Sequence, residues 1–170
     1  MSAHELVVGS ACVMTRVVAA LGACVALGGC SHGGATHPNA SAPEFPADYA
    51  DSYTEVRGCR KSGDHELDFV RVLVDPSALG PYTDRTSPFP EGAVALKEQY
   101  DVSDTTCAGP IVQWTVMKKN SAATARLGWD WQRVSTDRAV VEENTTRCFG
   151  CHQSCAGPPG VGYDSTCTEP

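Results

Sequence analysis

Cys148-Phe149-Gly150-Cys151-His152 constrains the fold of this chain more than any other stretch in it. Two cysteines separated by two residues and followed directly by histidine form the spacing that attaches a c-type haem. On a helix, residues three and four apart share a face. Two thiols so placed reach the two vinyl groups of one porphyrin, and the next histidine sits beneath the iron as axial ligand. The motif therefore asks for a helix near the carboxy terminus with room beside it for one flat cofactor. Two other readings use the same cysteines. Cys148, Cys151, Cys155 and Cys167 make a four-thiolate zinc set, or the cysteines pair as disulfides. Thiols in oxidising compartments tend to pair, which weighs against zinc there.

The amino terminus points to such a compartment. Arg16 precedes an apolar run over residues 17–27. The run is about half the roughly 20 residues that a bilayer span needs. A positive residue before a short apolar run is a secretory signal pattern. It ends in Leu27-Gly28-Gly29-Cys30, which resembles a bacterial lipoprotein cleavage site with Cys30 as the lipidated residue. Residues 1–30 are thus expected to be a lipoprotein-type signal peptide, which implies export to the bacterial cell envelope and a membrane link through lipid. Residues 31–48 hold Pro38, Pro43 and Pro46 among small and polar residues. Such a composition buries little apolar surface, and the segment reads as a flexible tether. Residues 49–170 are left as one folded domain.

The formal net charge is −7, with no basic stripe. That balance argues against nucleic acid as a partner. Nine cysteines are many for a reducing cytosol. Beyond the signal and the haem motif, Cys59, Cys107, Cys155 and Cys167 remain, and four cysteines allow three pairings. Cys155 lies one helical turn past Cys151, and Cys167 returns after a proline- and glycine-rich loop. The favoured pairs are Cys155–Cys167 and, by elimination, Cys59–Cys107.

Residues 67–74, 93–100, 111–118 and 129–134 are rich in Val, Ile and aromatic residues and are bounded by turn signals. They read as strands. Residues 76–86 hold a short helix or a loop, and Asn144 is placed as the N-cap of a helix running to about Cys155. The class is α+β: a mainly antiparallel sheet with terminal helices, the haem c on the carboxy-terminal one. Trp129 and Trp131 share a strand face and read as sheet core; Arg71 reads as a strand-surface residue or a partner for a haem propionate. A sixth iron ligand would have to come from His65, the tether histidines or Met117. Met117 in that place would make a simple electron-transfer cytochrome; with none of them bound, the iron keeps one site open for a small molecule.

The stretch Phe89-Pro90-Glu91-Gly92-Ala93-Val94-Ala95-Leu96-Lys97-Glu98, followed much later by Cys148–His152, resembles the cytochrome P-460 family, which includes the gas-binding cytochrome c′-β. The resemblance covers roughly residues 53–167. It implies haem c at the edge of an antiparallel sheet, often in a homodimer, and a redox partner protein. It also implies oxidation of hydroxylamine, or binding of nitric oxide or carbon monoxide, at the open iron. In the hydroxylamine-oxidising members a lysine on the Gly-to-Lys strand is bonded to the porphyrin; the matching residue is Lys97. Those members also use a distal glutamate, placed by the resemblance on the strand around 111–119. No carboxylate occurs between Asp104 and Asp130, and Gln113 and Trp114 stand nearest. Phe89 matches a family aromatic and is expected to cap the distal pocket.

Overall fold

The computed structural model describes residues 41–63, 65, 68–157 and 162–167. The signal segment with Cys30, and residues 31–40 of the expected tether, lie outside the described residues. One antiparallel sheet of six strands runs in chain order: β1 (Thr54–Lys61), β2 (Phe69–Val74), β3 (Val94–Tyr100), β4 (Ile111–Lys119), β5 (Trp129–Ser135) and β6 (Val140–Glu143). Helix α1 (Leu79–Asp84) lies between β2 and β3, and α2 (Thr146–His152) follows β6. Four strands stand where periodicity put them, while β1 and β6 border the sheet unannounced. The expected terminal helices reduce to α2 alone, since α1 sits inside the strand order and the entry to the sheet is a 3₁₀ turn, Tyr49–Asp51.

Side chains alternate across a strand, and here both faces are covered. One face carries Val72, Val74, Ala95, Met117, Trp129 and Trp131, packed with Ala78, Tyr82 and Phe89 and with Cys148 and Phe149 of α2. The other carries Leu73, Val94, Leu96, Trp114, Val116 and Val134 against Phe45 and Tyr49. Double coverage explains why β3 is buried at every position but Lys97. Cross-strand register sets Val72, Lys97, Thr115, Arg133 and Glu142 in one row across the first face.

The end of the expected tether belongs to the fold. Phe45 is buried and tilts against Trp114 at 5.7 Å. Glu44 pairs with Lys118 at 2.5 Å, and Arg138 donates to the Phe45 carbonyl at 2.6 Å. One buried aromatic residue, an ion pair and a main-chain hydrogen bond seat this polar, proline-rich stretch on the sheet, so the domain begins earlier than residue 49.

Arg71 also departs from one of its expected roles. It lies on the second face, where its Nε and Nη2 donate to Glu98 at 2.9 and 2.7 Å. The Tyr49 and Tyr100 hydroxyls each donate to the same carboxylate at 2.6 Å. Glu98 is 2% exposed. Four donors at a buried carboxylate meet the requirement that a buried charge be paired and hydrogen-bonded. Arg71 is spent on that task, on the face away from α2.

Candidate functional site

Helix α2 opens after Thr145, which is extended, and the first turn closes through Cys148 N–H to the Thr145 carbonyl at 3.0 Å. Asn144 is not its cap. The Asn144 main chain donates to the Trp131 carbonyl at 2.8 Å, and its side-chain oxygen accepts the Trp131 N–H at 2.9 Å. Asn144 therefore fastens the start of α2 to β5. Past His152 the chain tightens into a 3₁₀ turn, Gln153–Cys155, instead of continuing as α-helix.

The cysteines are joined as Cys59–Cys107 and Cys155–Cys167. Cys148 and Cys151 keep free thiols. Two thiols of the zinc set are thus bonded to each other, and no group of three or more His, Cys, Asp or Glu among the described residues is arranged to hold a metal.

His152 is buried against the edge of the Trp131 ring, with centroids 4.7 Å apart. Its Nδ1 lies 2.6 Å from the Ser165 carbonyl oxygen. A carbonyl only accepts, so Nδ1 carries the proton and the lone pair is on Nε2, the form in which histidine ligates a metal. Ser165 is itself held firmly. Its N–H donates to the Cys155 carbonyl at 2.9 Å, beside the Cys155–Cys167 disulfide. Trp129 Nε1 donates to the Asp164 carbonyl at 2.9 Å, Lys119 pairs with the Asp164 carboxylate at 2.7 Å, and the Tyr163 hydroxyl donates to Ser87 O at 2.9 Å.

Between α2 and the first face of the sheet lies a cavity of about 510 Å³, lined by Cys148, Cys151 and His152. Cofactor pockets run to about 300–1,000 Å³. Val72, Ala95, Met117 and Trp131 supply its apolar wall, and Lys97, Gln99, Gln113 and Arg133 its polar one. Arg60, Lys61 and Arg147 also line it, against one described carboxylate, Glu142, which pairs with Arg133 at 2.5 Å. Arg133 Nε is buried with no hydrogen-bond partner. Two thiols three apart, a histidine in the ligating tautomer, an apolar slot and an excess of cations fit a haem, whose propionates are anionic.

Sequence reasoning brought Cys148, Cys151, His152 and Lys97 to one site, and the structure lines one cavity with all four. Phe89, expected to cap the pocket, does not line it; it packs on Trp129 at 5.1 Å and Tyr163 at 6.1 Å, in the core beyond. Trp131, read as sheet core, is also cavity wall. Of the two residues nearest the expected distal position, Gln113 faces the cavity and Trp114 the opposite core. Gln99 and Arg133 carry no expectation from sequence, and sequence offers His65 only as a candidate sixth iron ligand. For Gln99, period two from Lys97 was the available signal.

His65 lies between Lys97 and Gln99, its Nε2 2.7 Å from Lys97 Nζ and its Nδ1 2.9 Å from Gln99 Nε2. With both ring nitrogens hydrogen-bonded, it offers iron no lone pair in this arrangement. Burial, and then the charge of Lys97, push its pKa down to about 3. The unfolded chain titrates near 6.5, so the neutral ring adds stability above that pH and loses it as pH falls towards 3. Urea unfolding between pH 6.5 and 4 is expected to show stability falling by up to about 1.4 kcal/mol per unit for this one proton. His65→Gln should flatten that part of the slope; an unchanged slope would count against a buried neutral ring.

A family model described as Cytochrome P460 matches residues 46–158, from the segment that covers the second face to the turn beyond α2. No curated protein matches the chain. The match takes in every strand, both helices and the whole cysteine–histidine motif, and on that evidence the chain belongs to the cytochrome P460 family.

Proposed function

We propose that this chain is an exported mono-haem c protein that binds or redox-transforms a small nitrogen species, hydroxylamine or nitric oxide, at an open iron coordination site. Membership of the family implies a haem. Cys148 and Cys151 would hold it by thioether bonds, His152 by axial ligation, and Arg133 by its spare buried N–H towards a propionate. Bound there, the haem supplies an iron centre that exchanges electrons and accepts a small ligand. The chain's residues do the rest. The Ser165 carbonyl orients His152 and raises its basicity. Val72, Ala95, Met117 and Trp131 exclude water. Lys97 would hold the porphyrin by a third covalent bond that replaces one N–H and one porphyrin C–H, the two electrons passing to an oxidant of the peroxide or dioxygen class, and would alter its electronics. Export and a lipid anchor at Cys30 are inferred from sequence alone, and the two disulfides suit an oxidising compartment. A redox partner protein would exchange the electrons.

One observation carries this reading: Lys97 lines the same cavity as Cys148, Cys151 and His152. The test is the absorption spectrum of the full chain matured with a haem c assembly system. A ferrous Soret band well to the red of ordinary haem c is expected, with peptide mass placing haem on Lys97 as well as both cysteines. Lys97→Ala should return the band to the ordinary position and abolish hydroxylamine turnover. An ordinary spectrum that still responds to nitric oxide would leave a gas-binding protein with unbonded haem. Colourless material would end the haem reading.

A further inference from the structure

Tyr82 and His152 line the same cavity from opposite ends. The ends follow from strand order. His152 lies against Trp131 of β5, with ring centroids 4.7 Å apart. Cross-strand register leads from Trp131 to Met117 of β4, Ala95 of β3 and Val74 of β2, all on one face. Tyr82 belongs to the buried cluster that closes this line. It is held there by α1, which follows β2 at once. The Asp75 carboxylate accepts the Ala78 N–H at 2.9 Å, and the Ala78 carbonyl accepts the Tyr82 N–H at 2.9 Å. Helix α1 then packs on β1, whose Arg57 and Arg60 act on the Tyr82 hydroxyl by their charge. Neighbouring strands lie about 4.8 Å apart, so β2 and β5 stand about 14 Å apart. That span takes an imidazole, a flat macrocycle and a ligand of two or three atoms in file.

Tyr82 is 4% exposed. A buried phenol usually finds a partner for its O–H. Arg57 acts on this hydroxyl by hydrogen bonding as well as by charge, but a guanidinium has donors alone. The phenol oxygen accepts there, and its proton is left to donate elsewhere. Among the described residues none accepts it. A side chain that only filled the core would do so as phenylalanine, with no hydroxyl to desolvate. The other donors of the cavity stand off the line from His152 to Tyr82. Lys97 lies one row along β3 and is assigned above to the porphyrin, while Gln99 and Gln113 lie a row further and bond each other. Arg133 is on β5, the strand that seats His152.

We propose that Tyr82 donates its O–H to the small ligand at the open iron face, with Arg57 as the positioning residue that turns the hydroxyl towards it. The proposal rests on the function above and adds the group that selects the ligand. Such a donor favours a species whose outer atom carries a lone pair and gains negative charge on binding, as nitrogen oxides do. It comes from α1, where the resemblance looks for a carboxylate on β4. Burial raises the phenol's pKa against the pull of the arginines, so the hydroxyl keeps its proton at neutral pH.

The experiment uses the full haem-loaded chain, reduced, with carbon monoxide and then nitric oxide as probes. A donor at the outer atom of a bound diatomic draws electrons onto it and lowers its stretching frequency. Tyr82→Phe removes one oxygen and keeps the ring. Its carbon monoxide stretch, read by infrared absorption, is expected to rise above that of the parent chain. The shift that the parent band shows on exchange into D₂O should vanish in the variant. Nitric oxide should leave the variant about two- to tenfold faster, which is the loss of one ordinary hydrogen bond. Arg57→Gln reads the positioning. Its amide oxygen can accept from the phenol, so the stretch should move to the value of Tyr82→Phe although Tyr82 is kept. A parent-like stretch in the folded Arg57 variant would strike out the positioning role. A chain that takes up no haem, or whose reduced haem takes neither gas, overturns the function above and this proposal with it. Gas binding with a stretch and a dissociation rate that Tyr82→Phe leaves unmoved overturns this proposal alone, and so does a parent band indifferent to D₂O, which needs no variant.

Discussion

A chain carrying Cys148→Ala and Cys151→Ala together with Lys97→Ala is expected to surrender all of its haem to acidified acetone, whereas the parent chain retains its haem through a denaturing gel. The expectation follows from cysteine bookkeeping. Cys59, Cys107, Cys155 and Cys167 are consumed in two disulfides, so Cys148 and Cys151 are the free thiols of the described residues. Their spacing on α2 puts both on one side of a single turn, and both line the cavity. Removing one thiol should leave one thioether and a haem that still stains. The two residues differ in exposure, Cys151 being exposed and Cys148 half-buried. Replacing Cys148 should therefore cost more packing than replacing Cys151. If Lys97 is also bonded to the porphyrin, the double variant would keep a stainable band that disappears when Lys97→Ala is added. A double variant that retains its haem covalently with Lys97 absent would show that the motif is not the attachment point.

The face that builds this site was legible because a strand alternates. Ala93, Ala95 and Lys97 could be set on one side of β3 from period two alone, and continuing the count reaches Gln99, which contacts His65. What periodicity could not supply was register. Nothing in the sequence states that Lys97 stands opposite Thr115 and that Thr115 stands opposite Arg133, so the cations of β5 could not be assigned to the cavity. β1 stayed hidden because Thr54–Lys61 mixes charged residues with Gly58 at an exposed edge and pairs with β2 through two register shifts. β6 stayed hidden because its four residues are too few to show a period. His65 carries no motif; its role comes from a turn that brings it 2.7 Å from a lysine thirty-two residues away. Phe89 misled for the opposite reason, since an aromatic beside the Gly-to-Lys strand serves a core as readily as a pocket, and Trp129 claims it.

The carboxy-terminal clip ties stability to the chemistry of the iron ligand, and its removal should change both. Cys155→Ala with Cys167→Ala opens a loop closed across a separation of 12 residues. The chain-entropy model puts such a closure at about 3 kcal/mol. For a domain of this size that is a fall of roughly 10 °C in thermal midpoint. The second effect is electronic. Ser165 offers its carbonyl to His152 Nδ1 because its own N–H is bonded to Cys155 O and Cys167 is joined to Cys155. Loosening that seat weakens the hydrogen bond that makes the imidazole a strong donor. The iron(III) state should then lose more stabilisation than iron(II), and the reduction potential should rise. Gly162→Ala separates the two effects. At Gly162, φ is +75°, and an added Cβ would meet Cys167 Cα at 2.9 Å and Cys155 O at 3.0 Å. The seat of Ser165 must shift there while the disulfide and its loop closure survive. Gly162→Ala should therefore raise the potential in the same direction, without the entropic part of the stability loss. Should the potential stay fixed in both variants while stability falls in the first, the tail would be a brace for the fold and no part of the tuning of His152.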